Sequence, residues 1–126
     1  MRQPESILVV SPDAMTLQGL TRALMQSGAP VASALGWAEG ESRLHRLPVS
    51  VVVTDMEGLI PEELTTVRRI RAEFPHVTVI ALVSLFTPEV KAAQSEGLLL
   101  AVLEKPIALG QLEEAVKSVL LRRARP

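Results

Sequence analysis

The sequence predicts one doubly wound α/β domain, in which helices cover both faces of a five-stranded parallel sheet. Three observations lead to this fold class. Five short apolar runs alternate with segments of helical periodicity. The runs are apolar on both sides, as strands buried between two helical layers are. The chain has 126 residues, 48% hydrophobic and 21% charged, which is enough to bury one independent core.

The apolar runs define the predicted strands in order. They occupy residues 7–10, 30–35, 51–53, 77–83 and 98–103. The first, third and fourth runs are rich in β-branched residues, which favour extended backbone. Because a helical segment follows each run, right-handed crossovers place helices on both faces, and five strands of this kind favour the order 2-1-3-4-5.

The first three helices are indicated by leucine spacing and by proline and glycine. Leucines at i, i+3 and i+7 share one face of the first helix, which Ser27-Gly28 ends. Residues 40–47 predict a short second helix that Pro48 terminates. Pro61 suits the first turn of a third helix, which continues to residues 74–75.

The last two helices have clearer signals. Thr87 is a suitable N-cap for a fourth helix, and Gly97 closes it. The fifth helix carries the strongest amphipathic pattern, with one apolar stripe opposite Glu113, Lys117 and Arg122. The stripe consists of Leu109, Leu112, Val116, Val119 and Leu120.

Composition excludes several functional classes. A net charge of -1 gives no field to gather nucleic acid or an anionic membrane, and 2% aromatic residues give no stacking platform for single strands. The absence of cysteine excludes disulfides and thiolate metal sites. Residues 1–6 show no signal peptide and no apolar run could span a bilayer, so a cytoplasmic protein is predicted. The basic residues 122–126 are either a solvated helix end or the start of a linker to an output domain.

Polar residues follow three of the predicted strands where the strands end. Asp13 comes shortly after the first strand, Asp55 after the third and Lys105 after the fifth. In an open parallel sheet, ligands bind at the edge where the carboxyl ends of the strands meet. An acidic nucleophile, a second carboxylate and a lysine are the groups that phosphoryl transfer to a carboxylate needs. The sequence therefore predicts these three side chains at one edge of the sheet.

In order and spacing, these segments resemble the receiver domains of two-component signalling. Residues 7–10 are similar to the family's first strand, 51–55 to its third and 79–84 to its fourth, while Lys105-Pro106 matches its lysine-proline pair. The resemblance covers residues 7–121. It implies a flavodoxin-like fold, Asp55 as phosphoryl acceptor, Lys105 as the contact to the phosphoryl oxygens and a cis Lys105–Pro106 bond.

The expected Mg²⁺ site departs from the family pattern. Ser11 and Pro12 stand where the family has two adjacent acidic residues that hold the metal. Asp13 either reaches back to replace them or serves as an ordinary acid in the first turn of a helix. Glu57 matches a position whose backbone carbonyl contributes to the metal site in the family. The expectation is a Mg²⁺ site at Asp13, Asp55 and Glu57 that is weak or absent, since Mg²⁺ is normally held by one or two carboxylates.

The conformational response of the family is altered as well. Ser84 is the candidate hydroxyl that would sense phosphorylation, but strict strand register puts Val83 at that position. Val102 replaces an aromatic residue of the fifth strand, and Gly58-Leu59 replaces a methionine-proline pair. These differences indicate an altered switch.

Two functions follow as hypotheses, neither of them enzymatic. The first is a receiver phosphorylated on Asp55 by a histidine kinase or phosphotransfer protein. The second is a phosphorylation-independent pseudo-receiver that acts as a protein-interaction module. In either case residues 87–121 are the expected contact surface for a downstream protein or for a homodimer, and the domain itself should not bind nucleic acid.

An unrelated cofactor-binding protein is the third alternative. No glycine-rich phosphate loop follows the first strand, which continues into Ser11-Pro12-Asp13. Neither His45 nor His76 follows a predicted strand. Both histidines are therefore expected at the surface.

Overall fold

The computed structural model describes residues 5–124, and within them five strands alternate with five helices. The strands are β1 (Ser6–Ser11), β2 (Val31–Leu35), β3 (Val49–Met56), β4 (Thr78–Val83) and β5 (Ala101–Glu104). The helices are α1 (Ala14–Met25), α2 (Trp37–Arg46), α3 (Pro61–Glu73), α4 (Pro88–Ser95) and α5 (Leu109–Ala124).

All neighbouring strands pair in parallel, and the sheet has the order β2-β1-β3-β4-β5. This confirms the predicted fold class and strand order. β3 is the central strand, and the residues after β1, β3, β4 and β5 lie at the same carboxyl edge because the strands run in one direction.

Two apolar layers form the core, one on each face of the sheet. On one face, α1 packs on the sheet through Leu20 and Leu24. α5 packs on the same face through Leu112, Val116 and Val119, which are buried as predicted. On the other face, α2, α3 and α4 cover a cluster that includes Leu44, Ile70 and Val90. Truncating a buried leucine of either layer to alanine would cost about 2–5 kcal/mol.

Three sequence predictions differ from the structure. α2 begins at Trp37 rather than at Gly40. Gly40 lies inside the helix at a packing position, where an added Cβ would lie 3.3 Å from both the Trp37 ring and Val10 Cγ2. β5 is shorter than residues 98–103, because the N–H groups of Leu98 and Leu99 donate to the Ala93 carbonyl and close the end of α4.

The third difference is at the start of α5. Leu109 is 47% exposed although it was assigned to the buried stripe, because it is the first residue of the helix and lies at its exposed end. The basic segment 122–126 begins as the end of α5, and its last two residues lie outside the described part. None of the helices in residues 5–124 combines the length and apolar character needed to cross a membrane.

Candidate functional site

Asp55 lies at the carboxyl end of the central strand. Because side chains alternate along β3, Asp55 shares a face with Val51 and Val53, which pack under α1 and α5. The Asp55 side chain is only 9% exposed. A carboxylate in such a position is costly unless its oxygens have partners.

Both oxygens of Asp55 have partners. Lys105 Nζ makes an ion pair with Oδ1, and Ser11 Oγ donates a hydrogen bond of 2.8 Å to Oδ2. The Lys105 side chain is 30% exposed, so the pair is partly shielded from solvent. The structure therefore brings two of the predicted residues, Asp55 and Lys105, into direct contact.

Lys105 is held at the sheet edge by the strand pairing that precedes it. Its N–H donates to the Val83 carbonyl at 2.8 Å, which continues the pairing of β4 with β5. The Lys105–Pro106 peptide bond is cis, as the resemblance implies. The lysine side chain thus reaches Asp55 across the end of β4, since the strand order places β4 between β3 and β5.

Ser11 connects the end of β1 with the Asp55 carboxylate. The residue is fully buried, and its Oγ accepts a hydrogen bond from Asp13 N at 3.1 Å. The Asp13 carbonyl lies 3.3 Å from the same hydroxyl. The Asp55 carboxylate is closer and ionised, so it is the stronger acceptor for the single hydroxyl proton of Ser11. Sequence reasoning treated Ser11 only as a lost metal ligand and missed this role.

Asp13 is turned away from Asp55 and caps α1. Its Oδ2 accepts from Thr16 Oγ1 at 2.6 Å and from Thr16 N at 2.9 Å. These hydrogen bonds, the side-chain one first, lower the pKa of Asp13 because they stabilise the ionised carboxylate. The residue has the role of a helix-start acid, which was one of the two alternatives considered for it.

Glu57 uses its backbone within the protein. Its carbonyl accepts from Ser84 N and Leu85 N, each at 3.1 Å, while its side chain is exposed. Its N–H donates to Glu63 Oε2 at 2.8 Å, and the Gly58 N–H donates to Glu63 Oε1 at 3.0 Å. Glu63 of α3 therefore accepts hydrogen bonds from the first two N–H groups of the loop that follows β3.

The donor atoms at this edge differ from the oxygen set that was predicted for Mg²⁺. Asp55 is the one carboxylate directed at the pocket among those predicted, and it is shared between a lysine and a hydroxyl donor. Within residues 5–124, no three histidine, aspartate or glutamate side chains are grouped so that they could hold a metal ion. Near-octahedral coordination of Mg²⁺ would need ligands that Asp13 and Glu57 do not direct to Asp55 here.

Neither of the two residues considered for the hydroxyl position, Val83 and Ser84, supplies a hydroxyl that contacts Asp55. Val83 is buried in the layer under α2, α3 and α4, on the opposite side of the sheet from Asp55. Ser84 follows the strand, its side chain is exposed, and no hydrogen bond joins its Oγ to Asp55. The buried hydroxyl of this region belongs to Thr87, which directly precedes α4. Thr87 caps that helix as predicted.

A small cavity of about 210 Å³ lies beside the Asp55 end of β3. Pro12, Trp37 and Glu62 are among the residues that line it together with Asp55. Trp37 is the only tryptophan of the chain, so its fluorescence reports on this region. A larger groove of about 530 Å³ runs between α3 and α4, with Gly58 and Thr87 in its lining.

No protein-family model matches the sequence, and no curated protein sequence matches it significantly. Solved structures match it over most of its length, and they include response regulator receiver domains. A receiver domain protein from Clostridium thermocellum has 27% identity and a TM-score of 0.81, and covers 94% of this chain and 96% of that one. A response regulator from Thermotoga maritima has the same identity, TM-score and coverage of this chain, with 99% of its own length.

One further match shows how far the fold extends beyond similar sequences. An adenylate cyclase structure from Rhodopirellula baltica has a TM-score of 0.83 at 22% identity, covering 95% of this chain and 90% of that one. Identity at this level shows the shared fold alone. The neighbours thus confirm the resemblance to the receiver fold.

Proposed function

We propose that this chain is a receiver-type module of two-component signalling that acts through protein contacts. On this proposal the Asp55 pocket is closed, because Lys105 and Ser11 engage the carboxylate, and Asp55 is not phosphorylated in a Mg²⁺-dependent reaction. The observation that carries the proposal is that each oxygen of the Asp55 carboxylate has a partner inside the protein. One oxygen pairs with Lys105 and the other accepts from Ser11. The similarity to response regulator receiver domains supports the signalling role.

Charge balance is the physical reason for a closed pocket. An aspartyl phosphate would replace one negative charge by about -1.5 to -2. Phosphoryl transfer of this kind relies on metal ions to neutralise the phosphoryl oxygens. Here Lys105 supplies one positive charge, and Ser11 supplies a neutral hydroxyl where the family pattern has acidic residues.

The proposed contact surface is the face formed by residues 87–121. Apolar side chains are exposed there, among them Leu100 at 37% and Leu109 at 47%. On this proposal a histidine kinase, a phosphotransfer protein, a downstream protein or a second copy of the chain would meet this face without prior phosphorylation. Sedimentation equilibrium of the wild type and of Leu109→Glu tests the homodimer. If the wild type has the mass of a dimer, an unchanged mass for the variant excludes this face from the dimer interface.

Phosphorylation of Asp55 is the second candidate function. It is favoured by the position of Asp55 at the end of the central strand and by its direct contact with Lys105, which is the arrangement that the resemblance implies. The two candidates differ in one measurable product.

Intact-protein mass spectrometry after incubation with a small phosphodonor and Mg²⁺ separates them. The proposal expects no added phosphoryl group in the wild type or in the Asp55→Asn control. An added phosphoryl group on the wild type that is missing from Asp55→Asn would refute the closed pocket and establish the second function. Trp37 fluorescence during a Mg²⁺ titration gives an independent readout, since Trp37 lines the cavity beside Asp55.

A further inference from the structure

The loop that follows Asp55 is bonded directly to the loop before α4. The Glu57 carbonyl accepts from Ser84 N and Leu85 N at 3.1 Å each. The Gly58 carbonyl accepts a hydrogen bond of 2.9 Å from Thr87 Oγ1. Three hydrogen bonds therefore join the two residues that follow β3 to the segment that leads into α4.

The two loops also touch without any side chain between them. Gly58 has a φ of +91°, and a Cβ added to it would lie 2.2 Å from the Leu85 carbonyl oxygen. Only glycine adopts this conformation at low cost, and only glycine permits this distance. Because backbone meets backbone here, a displacement of one loop cannot be absorbed by a side chain that changes its rotamer.

Thr87 belongs to both sides of this contact. Its hydroxyl donates to Gly58 O and at the same time accepts from Val90 N at 3.3 Å, as the N-cap of α4. The residue is 8% exposed, so solvent does not readily replace either bond. One buried hydroxyl thus joins the loop after β3 to the first turn of α4.

We infer that Thr87 couples the Asp55–Lys105 ion pair to α4. A change at the ion pair shifts the end of β3 and with it Glu57 and Gly58, the first two residues of the following loop. The Thr87 hydroxyl then carries the shift into the first turn of α4. Ser84 was the hydroxyl predicted to sense phosphorylation, whereas the hydroxyl that links the Asp55 site to α4 in this inference is that of Thr87. The inference deepens the proposed function, since α4 belongs to the proposed contact surface.

The test uses amide chemical shifts of the full, unphosphorylated chain. Lys105→Met breaks the ion pair, and its effect is recorded in three Thr87 backgrounds. Thr87→Ser keeps both the donor and the cap. Thr87→Asp keeps the cap, because a carboxylate accepts from Val90 N, but it cannot donate to Gly58 O when ionised. Thr87→Val removes both bonds and serves as a second comparison if Thr87→Asp does not fold.

The inference expects Lys105→Met to shift the amide resonances of Val90 and Lys91 in the wild-type and Thr87→Ser backgrounds. In Thr87→Asp and Thr87→Val these α4 shifts should disappear, while the shift at Leu85 persists through Glu57. Equal α4 shifts in Thr87→Ser and Thr87→Asp would overturn it, and so would the absence of any α4 shift in the wild type.

Thr21→Val is the matched control, because the Thr21 hydroxyl donates to the Leu17 carbonyl at 2.6 Å inside α1. It should leave the α4 response to Lys105→Met unchanged; loss of that response in Thr21→Val would show a general destabilisation and refute a specific role for Thr87. None of these measurements involves a phosphodonor. A phosphorylated Asp55 would therefore refute the proposed function without touching this result, and the reverse also holds.

Discussion

Lys105→Met is the perturbation that tests most directly how the Asp55 pocket is held together. It removes the cation, preserves most of the side-chain volume and leaves the Asp55 carboxylate, which is 9% exposed in the wild type, with Ser11 as its remaining hydrogen-bond partner. Breaking a fully buried ion pair costs about 3–5 kcal/mol because a charge is left without its partner.

The partial exposure of the lysine reduces this cost. Since the Lys105 side chain is 30% exposed, water can approach the space that it leaves, and the Ser11 hydrogen bond persists. We therefore expect a loss of about 2 kcal/mol in the free energy of unfolding. For a domain of this size such a loss lowers the Tm by about 6–10 °C.

Urea titrations of four proteins form the assay: wild type, Lys105→Met, Asp55→Asn and the double variant. Adding Asp55→Asn to Lys105→Met removes the unpaired charge and should recover about 1–2 kcal/mol. The exposed pair of Arg69 with Glu41 provides the control cycle, and its coupling should be clearly smaller. A coupling between Asp55 and Lys105 no greater than that of the control would refute the reasoning that this ion pair holds the pocket closed.

Three further predictions concern neighbouring residues. Ser11→Asp places a second carboxylate against Asp55, so its Tm should fall below the wild type in EDTA and rise selectively with Mg²⁺; equal Mg²⁺ responses of both proteins would contradict the account of the lost ligand. In urea titrations, Gly58→Ala should lower the free energy of unfolding more than Gly97→Ala, for which we expect a loss of about 1–2 kcal/mol. Both glycines have a positive φ, but only the Gly58 site lacks room for a Cβ. Equal losses would contradict the close loop contact. The pKa of Asp13 is lowered on folding, so the stability that its ionised carboxylate contributes is complete above its ordinary pKa of 3.8 and is lost as the pH falls through the lowered value. Asp13→Asn should keep the cap and make stability less dependent on pH in this acid range. An unchanged acid unfolding curve would disprove the assignment.

The fold could be predicted from the sequence because its signals are local and repeated. Each apolar run corresponds to one strand, and the alternation with helices leaves few topologies for a parallel sheet. Boundaries were predicted less well where a residue had a tertiary role. Gly40 suggested a helix start but is a contact point for Trp37, and Leu98 suggested a strand but helps to close α4.

The site could be predicted only in part, since its residues come from distant segments. Asp55 and Lys105 were expected at one edge, and they are in contact. The partnership of Ser11 with Asp55 joins residues 44 positions apart and has no local signal. Glu63 was likewise missed, because nothing in the pattern of α3 shows that its carboxylate returns to the loop N–H groups.

On the proposed function, the closed pocket depends on the whole edge of the sheet and not on one missing acid. The N–H groups of Glu57 and Gly58 donate to Glu63, and the Ser11 hydroxyl donates to Asp55. A phosphoryl group needs hydrogen-bond donors as well as cations, and these donors already have internal partners. Taking over each one would cost about 0.5–1.5 kcal/mol of lost internal hydrogen bonding. Ser11→Asp would therefore restore a carboxylate to the metal site, while the N–H groups of Glu57 and Gly58 would still donate to Glu63. For this reason we expect Mg²⁺ binding to be easier to restore than phosphorylation.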